Sequence, residues 1–155
     1  MTLEQFEIRE VRESDIHYMW ANMRASDRAE MSVSGLTPDN YLDRMSRTFQ
    51  EVVLHEGVPM VLYGANPSVA ALIFALIGTD QLDRFPKTFT RSSRSYVRNR
   101  LREHFPMTGL VFPDVENTKT IRWLDRIGFE QVRPVKAPNG AFMLMEYKGV
   151  RSDVF

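Results

Sequence analysis

The sequence predicts a mixed α/β (α+β) fold, helices flanking a mixed central sheet in a single domain spanning residues 1–155. Three observations carry this. Residues 69–77 form an unbroken apolar run of nine, less than half of the ~20 residues that a membrane-spanning helix needs and apolar on both faces, as a strand covered from two sides must be. Segments of helical periodicity, opened by capping residues, alternate with segments of strand character. The 155 residues suffice for one core and are few for two, and 43% hydrophobic with 26% charged residues are ordinary globular values.

Phe6-Glu7-Ile8 alternates as a half-buried strand does. Ser14 or Asp15 then caps a helix whose apolar residues Ile16, Met19, Trp20 and Met23 recur at helical spacing. Thr37-Pro38-Asp39 sets a cap, a first-turn proline and an acid in order, and Leu42, Met45, Phe49, Val52 and Val53 continue one apolar face of a second helix as far as Gly57. Residues 58–65 and 69–78 read as a hairpin turning at Asn66-Pro67. Beyond a loop containing Pro86, residues 92–105 read as a basic helix stopped by Pro106, and 108–112 as a short strand. Asn117 caps a helix through Ile121, Leu124 and Ile127 that ends at Gly128. Residues 129–135 and 141–147 close as a hairpin around Pro138-Asn139-Gly140. The predicted order is βααββαβαββ.

With no Cys, a disulfide framework, thiolate zinc sites and a cysteine nucleophile are excluded, and His17, His55 and His104 lack close metal-ligand spacing. No metal is expected. The opening Met1-Thr2-Leu3-Glu4-Gln5-Phe6 has neither a basic region nor an apolar stretch of signal length, so a cytoplasmic protein with no membrane partner is expected. The formal net charge is zero, which speaks against nucleic acid as the main partner. Charge is nonetheless uneven: residues 84–104 hold seven basic side chains against the single acid Glu103, a candidate anion site.

The segment Asn117-Thr118-Lys119-Thr120-Ile121-Arg122-Trp123-Leu124-Asp125-Arg126-Ile127-Gly128-Phe129 resembles the N-x-x-A-x-x-L-Y-x-x-L-G-F helix of the GNAT superfamily of N-acetyltransferases, and the order of elements extends the likeness over nearly the whole chain. Met23-Arg24-Ala25-Ser26-Asp27-Arg28-Ala29-Glu30 and Gly78-Thr79-Asp80 add a narrower likeness to the small GNAT-like proteins of short-tailed, T7-type bacteriophages. The resemblance implies acetyl-CoA as co-substrate, bound in a V-shaped cleft between the central strand and the strand after Thr108. It further implies backbone donors at Ile77, Gly78 and Thr79, and a cofactor-facing Asn117. Where the family carries Q/R-x-x-G-x-G/A, this chain has Arg91-Ser92-Ser93-Arg94-Ser95-Tyr96, and Leu124 stands at the position of the family's tyrosine acid. CoA binding is therefore expected to be weaker, shifted, or made through charge-assisted and polar bonds from Arg91, Arg94 and Ser95, rather than through a bare glycine loop.

The residues themselves leave alternatives open. Arg91, Arg94, Arg98 and Arg102 share a helix face, which fits a phosphate site, a solvated basic face or a nucleic-acid contact. Asp27 and Glu30, three apart, are candidate general bases if burial raises a carboxyl pKa, or form a local ion-pair cluster with Arg24 and Arg28. Asp80, ending the central strand, is a third candidate base or a turn former. Asn117 is an N-cap whether or not it also faces a cofactor. Two functions lead, ahead of a third reading as a nucleic-acid-associated protein using the basic face of residues 91–102. One is acetyl transfer from acetyl-CoA to an amine, which the phage likeness places on a host protein during infection. The other is a catalytically degenerate module of the same fold that binds a host or virion protein, in the host cytoplasm or the virion.

Overall fold

The computed structural model describes residues 6–149. Residues 1–5, read above for targeting, lie outside the described residues. The strands are β1 (Phe6–Glu10), β2 (Glu51–His55), β3 (Val58–Ser68), β4 (Ala71–Gly78), β5 (Thr108–Val111), β6 (Phe129–Ala137) and β7 (Gly140–Tyr147). They form one sheet in the order β1-β2-β3-β4-β5-β7-β6, antiparallel throughout except between β4 and β5. The helices are α1 (Glu13–Asn22), α2 (Ala25–Val33), α3 (Pro38–Thr48), α4 (Pro86–Glu103) and α5 (Thr118–Ile127), with a short 3-10 helix at Asp80–Arg84. No described helix is long and apolar enough to cross a membrane.

Side chains of the central strands alternate between two cores. Val61, Tyr63, Leu72 and Phe74 pack with Phe89, Tyr96 and Val97 of α4 and with Ile121 and Leu124 of α5. Leu62 and Ile77, with Val52 and Leu54, pack with Ile16 and Met19 of α1 and Met45 of α3. The apolar run is apolar on both faces because each face has its own helical layer.

The observed order exceeds the predicted one by a helix and a strand. Met23 and Arg24, with ψ of 140° and 148°, interrupt helical geometry, so α2 is separate from α1. The second helix stops at Thr48, and Glu51–His55 is a strand. Val52 and Val53 fit a helical face, but being β-branched they fit a pleated one better. Glu56 and Gly57, with φ of 51° and 81°, then make a two-residue hairpin turn, so Gly57 turns a hairpin instead of closing a helix. Asn66 and Pro67 belong to β3, opposite Ile73 and Leu72, and the turn lies at Val69-Ala70. Pro67 is tolerated because β2 has already ended there, its last pair with β3 being Glu51–Tyr63. Pro86 is the first residue of α4, so that helix starts six residues before the predicted boundary at 92. Asn117 and Gly128 bound α5 as expected: the Asn117 side chain accepts from Thr120 N–H, and Gly128 has φ of 121°.

Asp15 occupies the third helical position of α1, not the cap. Its carboxylate accepts from Arg9 Nη1 and Nη2 at 2.7 and 2.9 Å and from the Arg12 N–H at 2.8 Å, tying β1 to the helix start. Burial pushes the Asp15 carboxyl up, but the Arg9 guanidinium and the Arg12 N–H outweigh it and hold it below the usual carboxylate range. Asp15→Asn is expected to destabilise the protein by about 2 kcal/mol or more at pH 7 in urea unfolding, given ~1.5–3 kcal/mol per charged hydrogen bond. Because the folded-state pKa is depressed, the loss relative to wild type should shrink as pH falls below the ordinary aspartate range.

Candidate active site

The parallel ladder between β4 and β5 covers Ala71–Thr108, Leu72–Gly109 and Ile73–Leu110 and then stops. β4 continues to Gly78, whereas β5 reaches Pro113 two residues after its end and leans to β7, where Met143 N–H donates to the Pro113 carbonyl at 2.8 Å. The gap opens a cavity of about 590 Å³. Its throat is apolar, walled by Leu76, Val97, Val111, Leu124 and Phe129, and its far wall carries Asp27, Glu30 and Arg44.

Strand alternation decides which backbone donors face this gap. Thr79 N–H donates to the Met60 carbonyl of β3 at 3.0 Å, and Ile77, two residues earlier, also turns its N–H toward β3. Gly78 N–H points the opposite way and donates to Asp27 Oδ2 at 2.8 Å. Leu76 shares the orientation of Gly78, past the last β5 pair, so its N–H faces the cleft. Of the three backbone positions read from the sequence, only Gly78 turns its donor toward the cleft, and Asp27 takes it.

Asp27 and Glu30 have different environments although one helical turn separates them. Asp27 is 3% exposed and accepts from Arg24 Nε and Nη2 at 2.9 and 3.0 Å as well as from Gly78. Arg24 N–H in turn donates to the Gly78 carbonyl at 2.9 Å, and Met23 bridges Thr79, so this cluster fastens the α1–α2 junction to the end of β4. Burial pushes the Asp27 carboxyl up from its usual value, against the pull of Arg24 and Gly78 N–H. Glu30 has no cationic partner among the described residues: its Oε1 accepts from Asp114 N–H at 3.2 Å and Asn117 Nδ2 at 3.5 Å. Burial, then the neighbouring charges of Asp27 and Asp114, raise it to about 7.

Asn117 therefore serves twice, its Oδ1 capping α5 through Thr120 N–H at 3.3 Å and its Nδ2 reaching Glu30. The structure brings Asp27, Glu30 and Asn117 together but leaves Asp80 exposed on the first turn of the 3-10 helix, outside the cavity walls. Arg91, Arg94 and Ser95 lie in the middle turns of α4, also outside them, and Arg94 Nη2 donates to the Arg126 carbonyl at the end of α5 at 3.3 Å. Ser93 and Tyr96 are core residues, Ser93 Oγ lying 2.6 Å from Tyr63 Oη and the Tyr96 ring stacking on Tyr63. Sequence reasoning missed the Leu76 N–H and Arg44; it placed Arg84 and Lys87 in the basic stretch of residues 84–104 but missed that α4 starts beside them. Pro86 was the signal for that start.

The same arrangement of elements recurs in solved structures. Ard1 from Thermoplasma volcanium matches with a TM-score of 0.70 at 14% identity, over 95% of this chain and 99% of its own. AAC(6')-Ib in complex with ribostamycin and coenzyme A matches at 0.65 and 15% identity, over 97% and 96%. A GNAT-family acetyltransferase from Bacillus anthracis matches at 0.64 and 11% identity, over 92% and 93%. The chain thus has the GNAT fold. No family model and no curated protein matches the sequence.

Two outcomes follow from the Glu30–Asn117 pair. Asn117→Ala should cost about 0.5–2 kcal/mol in urea unfolding, and Asn117→Asp should lose the contact to Glu30 while keeping the cap. Since folding raises the Glu30 pKa, the native state holds its proton more tightly, and stability is lost as pH rises from the ordinary glutamate range through about 7. Glu30→Gln should therefore gain stability over wild type with rising pH, by at most roughly 3 kcal/mol at pH 8 relative to pH 4. Parallel pH-dependence of both proteins would show that Glu30 is not the titrating group.

Proposed function

We propose that this protein is an acyltransferase that moves an acetyl group from acetyl-CoA to an amine. The observation that carries the reading is the Glu30 carboxylate, raised to about 7 in the wall of the cleft that the Leu76 N–H faces. A base titrating near neutral pH is both ionised enough to act and basic enough to accept a proton. The neighbours of this fold include enzymes solved with coenzyme A and with acetyl-CoA, and acetyl-CoA fits the residues present here. The apolar throat suits an acyl-pantetheine arm. The start of α4 suits its phosphates: an 18-residue helix with no acid in its first turn and no side-chain cap, flanked by Arg84 and Lys87. Arg91 and Ser95 add exposed polar groups further along the helix, while Arg94 is already bonded to α5.

In this reading Glu30 takes a proton from the incoming ammonium group, and the freed amine attacks the thioester carbonyl carbon. The Leu76 N–H donates to the oxyanion that develops. Collapse breaks the C–S bond, and the attacking nitrogen gives its second proton to water as the amide forms; the thiolate takes a proton from water because Leu124 has none to give, and Glu30 returns its own proton to solvent, so one proton is released overall. Asp27 and Arg24 hold the end of β4 in place. The likeness to phage proteins suggests that the amine belongs to a host protein.

One observation favours the degenerate binding module. The Phe89 and Trp123 rings stack at 4.4 Å and 7°, and Trp123 Nε1 donates to Thr90 Oγ1 at 3.1 Å, drawing α4 and α5 together beside the throat. Calorimetric titration with acetyl-CoA separates the two, since no binding at millimolar acetyl-CoA overturns the enzyme. For the enzyme, kcat/KM should rise with pH through about 7. Glu30→Gln should lower kcat by about 10²–10⁴-fold with acetyl-CoA affinity nearly intact, and Asp80→Asn should change neither.

A further inference from the structure

The far wall of the cleft adds a constraint on the acceptor. Among the described charged residues lining the cavity, Asp27 is paired with Arg24, and Arg47 is paired with Asp43 at 2.7 Å. That leaves Glu30 and Arg44. Glu30 is partly buried and bonded to Asp114 N–H and Asn117, whereas Arg44, on α3, is exposed and makes no ion pair among the described residues. The lining therefore presents one carboxylate able to take a proton and, toward solvent, one uncompensated cation. A polyamine or an aminoglycoside, with several positive charges, would meet Arg44 as a repulsive neighbour and would find Glu30 alone to balance it.

Resting on the acyltransferase reading, we propose that the acceptor is an α-amine on a molecule that also carries a carboxylate, the amine directed to Glu30 and the carboxylate to Arg44, which line the same cavity. A free acidic amino acid and the amino end of an acidic peptide share this chemistry. Proton transfer points the same way. With Glu30 near 7, under the influence of Asp27 and Asp114 from α2 and the β5–α5 connection, the α-amine at the amino end of a peptide, of pKa about 8, gives up its proton at roughly a tenfold disadvantage, which favours the acidic peptide over the free amino acid with its more basic amine. A lysine ε-amine of about 10.4 does so at more than a thousandfold one.

The test is a competition of acceptors with acetyl-CoA as donor, products identified by mass spectrometry: free glutamate, peptides beginning Ser-Glu-Glu and Ser-Lys-Lys, an amino-blocked lysine peptide, and spermidine. The acidic acceptors should lead by about tenfold or more in kcat/KM, and comparing free glutamate with the Ser-Glu-Glu peptide tells the two sources apart. Arg44→Glu should raise KM for the acidic acceptor about tenfold with kcat little changed, and should improve the Ser-Lys-Lys peptide. Arg44→Ala should fall between. Faster acetylation of spermidine or of the lysine side chain, or indifference to Arg44→Glu, overturns the proposal and leaves the acyltransferase reading standing. Acetylation of no acceptor by a protein that binds acetyl-CoA overturns both.

Discussion

Three residue pairs join β4 to β5, and the polar groups left facing the gap beyond them define what the molecule can do. A parallel ladder normally pairs every second N–H and carbonyl on each strand. Here β4 runs five residues past the last pair, to Gly78, while the chain after Val111 turns to β7 through Phe112-Pro113. An unpaired strand end next to an apolar throat would be a poor arrangement if nothing held it, because buried backbone groups without partners are costly. Asp27 supplies the restraint. One buried carboxylate accepts from Gly78 N–H and from both Arg24 nitrogens, and Arg24 returns an N–H to the Gly78 carbonyl. The end of β4 is thus fixed by α2, across the cleft from the helices that would meet a donor substrate.

This explains why two acids one turn apart take different parts. Asp27 has a guanidinium and a backbone donor to balance its charge, whereas Glu30 has a backbone N–H and an amide. Burial acts on both, but the negative charge of Asp27 falls on Glu30 as an added cost of ionisation. The carboxylate that fastens the strand therefore also helps to bring its neighbour near neutrality. Removing Asp27 would loosen β4 and relax Glu30 together, so the two effects are separable only through Glu30 itself.

The central strands, α5 and the last hairpin were legible because local pattern and tertiary need agree there: residues 69–77 are apolar on both faces, and Asn117 and Gly128 bracket a helix with an apolar stripe. β2 was not, since Val52 and Val53 satisfy helical spacing from Phe49 and neither Gly nor Pro marks the break before Glu51. The separation of α1 from α2 was hidden for a related reason. Met23 continues the apolar period of α1, and what pulls it into extended geometry is its bridge to Thr79, more than 50 residues away. Of the site, Glu30 was legible as one of a pair of acids at helical spacing, but what distinguishes it from Asp27 is contact with residues 84 and 87 positions along the chain. The displacement of Arg91 and Arg94 into mid-helix traces to Pro86, whose ring fixes a helical φ and whose missing N–H costs nothing at a first position.

The leucine at position 124 bears on whether such a site could turn over. An acid near the sulfur would protonate the leaving thiolate, and a base near the amine must remove a proton before attack begins. These demands differ in size. An ordinary thiol has a pKa of about 8.5, so its anion is a tolerable leaving group near neutral pH, while an amine of pKa about 8–10 is mostly protonated there and not nucleophilic. Losing the acid therefore removes assistance from a step that proceeds without it. Losing the base leaves the reactant in the wrong protonation state. On the acyltransferase reading proposed above, a chain with Leu124 where the resembling family has its tyrosine acid and with Glu30 raised to about 7 would keep the more demanding half of the chemistry, and the Phe89–Trp123 stack would then be the feature that most directly bears on access by the donor.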